Sequence, residues 1–174
     1  SRNVDTLAAL VSSGDVPVLT VCPSCQLMLK QEYAEYFPEL GKHESIVPHV
    51  QDACEFLIGL IESGELDIDV REDATKLVYH APCHLRAQGI GKPGLDLLRM
   101  ASANVRLLGI SGSYGFKKEK YDVAASVGSD LFKAVKDSAA EYCVTECGTC
   151  RLQISHHTKL PSMHPISWLR KLVK

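Results

Sequence analysis

Nothing in the 174-residue sequence is long and apolar enough to cross a membrane as a helix, since no run of about 18 apolar residues occurs. No charged-then-apolar leader opens it, which gives the expectation of a protein that is not secreted. Clustered basic residues are also missing. Nineteen Lys and Arg stand against twenty-one Asp and Glu, for a net charge of -2. Phosphate contacts need a basic patch, so nucleic acid is not the expected partner. There is no dinucleotide fingerprint and no P-loop Lys-Ser pair: the glycine-rich run Gly109-Ile110-Ser111-Gly112-Ser113-Tyr114-Gly115-Phe116 departs from both patterns. What remains is an ordinary globular composition, 45% hydrophobic and 23% charged with mean hydropathy -0.02, which excludes disorder and collagen-like repeats. A chain of this length can close a core without disulfides.

Cysteine is the residue in excess. Four of the seven form two C-x-x-C pairs, Cys22/Cys25 and Cys147/Cys150. In a chain with no secretory leader such pairs more often serve as metal ligands or redox groups than as structural disulfides. Their surroundings have βα periodicity. Val4 to Val11 reads as a helix, and residues 17–21 as a short buried strand that ends at the first pair. A helix from Gln26 to Tyr36 follows, and Asp52 opens another through Ile61. Strands at Lys76–His80, Val105–Leu108 and Tyr142–Thr145 alternate with helices at Pro93–Met100 and Glu119–Lys136, and a last helix begins near Pro165. The fold class expected is therefore α/β, a mostly parallel sheet with flanking helices built from Rossmann-like βα units. Ligands of such sheets gather at the carboxyl ends of the strands.

An internal repeat sharpens this reading. Thr20-Val21-Cys22-Pro23-Ser24-Cys25-Gln26-Leu27 and Thr145-Glu146-Cys147-Gly148-Thr149-Cys150-Arg151-Leu152 share the pattern T-x-C-x-x-C-x-L, each at a strand end. Downstream, His49 and His164 each introduce an amphipathic helix, with a capping role open to both. The second copy has a whole domain's length before it and the first has little. The expectation is a chain that begins inside the first of two repeated domains, with residues 1–72 the rest of that domain and 73–174 the second. Cys22, Cys25, Cys83, Cys147 and Cys150 all fall at strand ends, where thiolates can converge on one rim of the sheet and helix N-termini favour negative charge. Soft iron and zinc ions select such sulfur ligands. Cys54 and Cys143 read as core residues. His80 and His84 bracket Cys83, and each has two roles open, contact with a metal or sulfide and orientation of the loop; His84 is the further candidate metal ligand. His156 and His157 are expected to face solvent, and Lys117 to Lys120 to be a solvated helix start.

Three strings carry a resemblance. Tyr79-His80-Ala81-Pro82-Cys83-His84-Leu85-Arg86, the glycine-rich loop running on through Glu119, and Val144 to Ile154 with His164-Pro165-Ile166 resemble the cysteine-rich CCG-domain proteins. These include iron-sulfur subunits of anaerobic glycerol-3-phosphate dehydrogenases, heterodisulfide reductases, and glycolate and lactate oxidases. The resemblance implies an electron-transfer subunit of a respiratory dehydrogenase, of the glycerol-3-phosphate type. Cys22, Cys25, Cys83, Cys147 and Cys150 would hold [4Fe-4S] clusters that relay electrons from flavoprotein subunits toward membrane quinone, at the cytoplasmic face of the inner membrane. Two alternatives stay open, a heterodisulfide-type thiol/disulfide redox enzyme and a structural module holding zinc. The sequence departs from the family pattern at one place, with Leu107-Leu108-Gly109 standing where a cysteine pair is expected. With no ligand at the end of the Val105–Leu108 strand, the expectation is that a cysteine-bearing segment is missing between Leu108 and Gly109.

Overall fold

The computed structural model describes residues 2–39, 41–108 and 118–174. In chain order the elements are α1 (Arg2–Ser12), β1 (Val18–Thr20), α2 (Pro23–Leu27), α3 (Tyr33–Tyr36), α4 (His43–Ile46), β2 (Val50–Asp52), α5 (Ala53–Glu62), β3 (Leu77–His80), α6 (Cys83–Ala87), α7 (Pro93–Met100), β4 (Val105–Leu108), α8 (Tyr121–Asp137), β5 (Tyr142–Val144), α9 (Gly148–Thr158), β6 (Ser162–Met163) and α10 (Pro165–Leu172). A π turn, Met28–Glu32, bridges α2 and α3. All strand pairs are parallel, in a four-stranded sheet of order β4-β3-β5-β6 and a two-stranded sheet of β1 and β2. The expected α/β class with a parallel sheet is what the fold has.

β3 shows why the larger sheet is central. Leu77-Val78-Tyr79-His80 is buried at every position, the pattern of a parallel strand covered on both faces. Because successive side chains point to opposite faces, Leu77 and Tyr79 join one cluster with Leu95, Leu97 and Leu98 of α7 and Trp168, Leu169 and Leu172 of α10. Val78 joins the other, with Leu131, Phe132 and Val135 of α8 and Cys150 and Ile154 of α9. Each large apolar side chain buried in these layers contributes roughly 1.5–3 kcal/mol. Cys54 of α5 lies in the first of these clusters, with Leu57, Ile58 and Ile61 packed against it. The helix that follows β2 thus shares the larger sheet's core. The smaller sheet has a separate cluster of Val4, Ala8, Ile46 and Val50.

Several elements escape the periodicity. β2 and β6 are too short to show alternation, and their existence follows from parallel pairing with β1 and β5. α6 and α9 start directly on cysteine loops, where Pro, Gly and Thr mask the helical pattern. Asp52, rather than His49, caps α5, accepting from the N–H groups of Cys54 at 2.7 Å and Glu55 at 3.2 Å. His49 instead lies 3.6 Å from Asp15. His164 does cap α10, accepting from the Ile166 N–H at 3.2 Å. His156 is exposed as expected, but His157 is only half-exposed and stacks on Phe132 at a centroid distance of 4.3 Å. Cys54 and Cys143 are fully buried. The glycine-rich loop 109–116, Lys117 and the Leu108–Gly109 junction, where a missing segment is expected, lie outside the described residues.

One contact holds the sheet to its helices at the level of the cysteine loops. The buried Glu146, between β5 and α9, accepts at Oε1 from the Tyr79 hydroxyl at 2.7 Å and the Gly94 N–H at 3.1 Å. A Cβ on Gly94 would collide with Glu146 Oε1 and sit 2.6 Å from Pro165 Cγ. Gly94→Ala is therefore expected to destabilise the fold by about 1–3 kcal/mol, the usual cost of overpacking. Denaturant unfolding measures it, and a wild-type midpoint would show that the α7–Glu146 approach is looser than described.

Candidate functional site

The βα rule places each cysteine loop. β3 and β5 are adjacent and in parallel register, Tyr79 opposite Val144, so the loops leaving them, with Cys83 and Cys147, emerge on the same rim. Cys83 is the first residue of α6, Cys147 is the N-cap of α9 and Cys22 is the N-cap of α2. All three sulfurs thus belong to helix starts, where unpaired N–H groups favour a thiolate.

The first and second C-x-x-C pairs meet. The Cys22 thiol hydrogen-bonds with that of Cys147, and this contact, followed by burial, pushes the Cys22 thiol up to about 12. Cys25 is close enough to Cys22 to be raised by it, after desolvation as the larger cause. Cys147 also contacts the Thr149 hydroxyl within its own loop, at 3.1 Å. The Cys83 loop docks on the first pair from the other side. Ser24 Oγ and His84 Nδ1 are 2.7 Å apart, and Gln88 Nε2 donates to the Pro23 carbonyl at 3.0 Å. His164 Nε2 donates to the Val21 carbonyl at 3.0 Å, tying the β6–α10 junction to the end of β1. Three cysteine loops from the two sheets therefore gather in one region.

Exposure divides the thiols. Cys25 and Cys83 are exposed and Cys22 is half-buried, while Cys147 and Cys150 are buried. Cys25 opens onto a cleft of about 670 Å³ between α1 and the α2–α3 stretch, whose wall includes Ser24, Met28, Leu29 and Tyr33. No disulfide joins any of the seven. Among the described residues, no three His, Cys, Asp or Glu side chains are arranged to hold a single metal ion. Ligands around one zinc would be roughly 3.8 Å apart, given a Zn–S bond of ~2.3 Å. A preformed zinc site of that compactness is not present among them. His84 Nδ1 is engaged with Ser24 Oγ.

Polar groups that the sequence reading passed over surround the cysteines. Gln26 is fully buried, and among the described residues neither of its amide atoms has a hydrogen-bond partner, nor do the buried Thr145 Oγ1, Glu146 Oε2 and Arg151 Nε. Burial, partly offset by the Tyr79 hydrogen bond, raises the Glu146 carboxyl to about 7. Burial and then the Arg151 charge lower His164 to about 4. The signal for Gln26 and Arg151 is in the repeat itself, because each follows the second cysteine of its pair.

Residues 77–155 match the cysteine-rich domain family CCG. The chain is 32% identical over 173 residues to one of the subunits of anaerobic glycerol-3-phosphate dehydrogenase from Escherichia coli, a match covering 96% of this chain and 43% of that protein. It is 30% identical over 147 residues to one of the subunits of fumarate reductase (CoM/CoB) from Methanothermobacter marburgensis, covering 79% of this chain and 27% of the relative. An uncharacterized iron-sulfur protein of Methanocaldococcus jannaschii is 28% identical over 151 residues, with coverages of 82% and 27%. The chain thus spans less than half the length of these relatives.

The exposure pattern predicts chemical reactivity. With iodoacetamide under native, reducing conditions, Cys25 and Cys83 are expected to be alkylated first and Cys54 and Cys143 only after unfolding. Diamide oxidation of the metal-free chain should join the Cys22 and Cys147 peptides, as read by mass spectrometry. Early labelling of Cys54, or oxidation that joins each C-x-x-C pair internally and never across, would contradict the contact between the repeats.

Proposed function

We propose, on the premise that residues 77–155 form a cysteine-rich CCG domain, that the chain is an iron-sulfur electron-transfer module of a dehydrogenase or reductase complex. The observation that carries this reading is the meeting of Cys22 with Cys147, which brings thiols from two strand-end loops to one place with no disulfide to consume them. Sulfur donors suit iron-sulfur clusters. The described residues fit such a group in their chemistry, since the thiols stand at helix starts and buried polar atoms around them lack partners. Cys22, Cys25, Cys147 and Cys150 would hold it, with Cys83 a fifth donor on the same rim. A bound cluster supplies one-electron acceptance and release. Burial of Cys147 and Cys150 keeps water from that side, and the exposure of Cys25 and Cys83 gives a partner its approach.

The finer reading assigns the module to glycerol-3-phosphate oxidation, with electrons received from a flavoprotein and passed toward membrane quinone at the cytoplasmic face of the inner membrane. It draws support from the similarity to the Escherichia coli protein. No described helix is long and apolar enough to cross a membrane. The two repeats would divide near residue 72. β1 corresponds to β5, yet among the described residues it pairs only with β2, leaving Leu19 and Val21 exposed where β5 has β3. A second reading, a thiol/disulfide redox enzyme, is favoured by one observation: the exposed Cys25 on its cleft could admit a substrate sulfur.

Anaerobic reconstitution with ferrous iron and sulfide tests the proposal. A brown protein with matching iron and acid-labile sulfide is expected. Cys147→Ser should lower both, and Cys54→Ala should leave them unchanged; equal losses from the two would overturn the division between ligand and core. The loaded chain should not oxidise glycerol 3-phosphate with an artificial dye unless a flavoprotein is added, and turnover without one would refute the accessory role. Disulfide reduction by the loaded chain alone would favour the second reading.

A further inference from the structure

Asp52 and His164 stand at the same place in the two repeats. Parallel pairing sets Thr20 of β1 opposite Asp52, and Val144 of β5 opposite Met163. Thr145, the counterpart of Thr20, donates its N–H to the Met163 carbonyl at 3.1 Å, which brings His164 beside it. Each of the two residues caps the helix that leaves its strand. Asp52 accepts from the Cys54 N–H at 2.7 Å, and His164 Nδ1 from the Ile166 N–H at 3.2 Å. Aspartate is a favoured N-cap and histidine is not. What the imidazole adds is a second nitrogen. Burial, and then the Arg151 charge, hold the ring in its neutral form, and with Nδ1 accepting, its single proton sits on Nε2. That N–H donates to the Val21 carbonyl of the first repeat at 3.0 Å.

Val21 immediately precedes Cys22. Its counterpart in the second repeat, Glu146, is buried and holds the Cys147 loop through Tyr79 and Gly94. The Val21 side chain is 60% exposed and offers no such hold, and among the described residues β1 pairs only with β2. The first cysteine loop is therefore fastened to the second repeat by other bonds. His84 and Gln88 meet it past Cys22, at Ser24 and Pro23. The His164 bond fixes the chain on the strand side of Cys22, whose thiol touches Cys147.

We propose that His164 is a positioning residue for the contact between Cys22 and Cys147. Through Nδ1 it starts α10. Through the Nε2 N–H it sets the end of β1, and with it the Cys22 thiol, against the Cys147 loop. The two nitrogens have separable effects, since a cap stabilises α10 wherever the first repeat lies, while the bond to Val21 orders one repeat on the other. This rests on the reading of the two C-x-x-C pairs as one site, and it concerns the chain's own thiols without any bound group.

The test uses the full metal-free chain, reduced and then oxidised with diamide, which takes two electrons and two protons from a pair of thiols. Mass spectrometry gives the rate at which the Cys22 and Cys147 peptides are joined, and denaturant unfolding gives the midpoint. In His164→Asn the side chain keeps a favoured cap, but its amide nitrogen takes the place of the ring Cδ2 and falls short of the Val21 carbonyl. Its midpoint should stay near wild type while joining slows about fivefold, the factor for losing one ordinary hydrogen bond. His164→Gln carries its amide nitrogen out to the place of Nε2, so it should join near the wild-type rate with a lowered midpoint. Equal joining rates in the Asn and Gln variants would overturn the positioning role while leaving the shared site intact. If neither variant folds, nitrogen NMR of the wild-type ring decides. An Nε2 proton slow to exchange with solvent supports the bond to Val21, and a proton on Nδ1, or fast exchange at Nε2, overturns it. A wild-type chain that never joins Cys22 to Cys147 overturns the one-site reading and this inference together.

Discussion

Because β3, β5 and β6 run parallel, as β1 and β2 do, every strand in each sheet must discharge its chain at the same end, and the loops that follow collect on one rim. The rest of the arrangement depends on that constraint. Each cysteine loop is the short link between a strand and a helix start, so Cys22, Cys83 and Cys147 inherit both the direction of the strand and the exposed N–H groups of the helix. Glu146 pins the second loop from beneath through Tyr79 and Gly94. His164 ties the first loop to the larger sheet through Val21. The thiol contact between repeats is a consequence of these two ties, with nothing covalent enforcing it.

The electrostatics of the region are unbalanced in a consistent direction. The Cys22 thiol, pushed up by its contact with Cys147 and by burial, meets that residue where helix starts favour negative charge. Among the described residues, buried donors and acceptors nearby lack partners. A protein interior normally satisfies more than nine in ten of its buried polar groups, so a concentration of exceptions around one feature marks a place built for something else. Thiolate ligands and sulfide would supply the missing charge and the missing acceptors together. This agrees with the coupling of metal binding to local order in cysteine-rich sites.

Much of this was legible in the residues. Pro93–Met100 and Val105–Leu108 were readable to their ends because amphipathic spacing and a run of apolar residues leave little ambiguity. The cysteine loops announced themselves by repetition, and burial of Cys54 and Cys143 followed from apolar neighbours. β2 and β6 were not readable, since strands of two or three residues carry no period and exist only through their partners. α9 was hidden by a sequence of Gly, Thr and paired His that lacks an apolar stripe. The role of Glu146 could not be read either, because a glutamate beside a C-x-x-C looks solvated until Tyr79 and Gly94 close on it. The meeting of Cys22 with Cys147 is a tertiary fact: periodicity gives each loop its rim but not the angle between two sheets.

The central claim is that thiols of both repeats share one iron-sulfur group. Crystals grown anaerobically from the loaded chain, with data collected on either side of the iron absorption edge, test it most directly. The account predicts anomalous density between Cys22 and Cys147, within bonding distance of sulfurs from both C-x-x-C pairs. Separate iron peaks, each confined to one pair, or zinc density in their place, would contradict it.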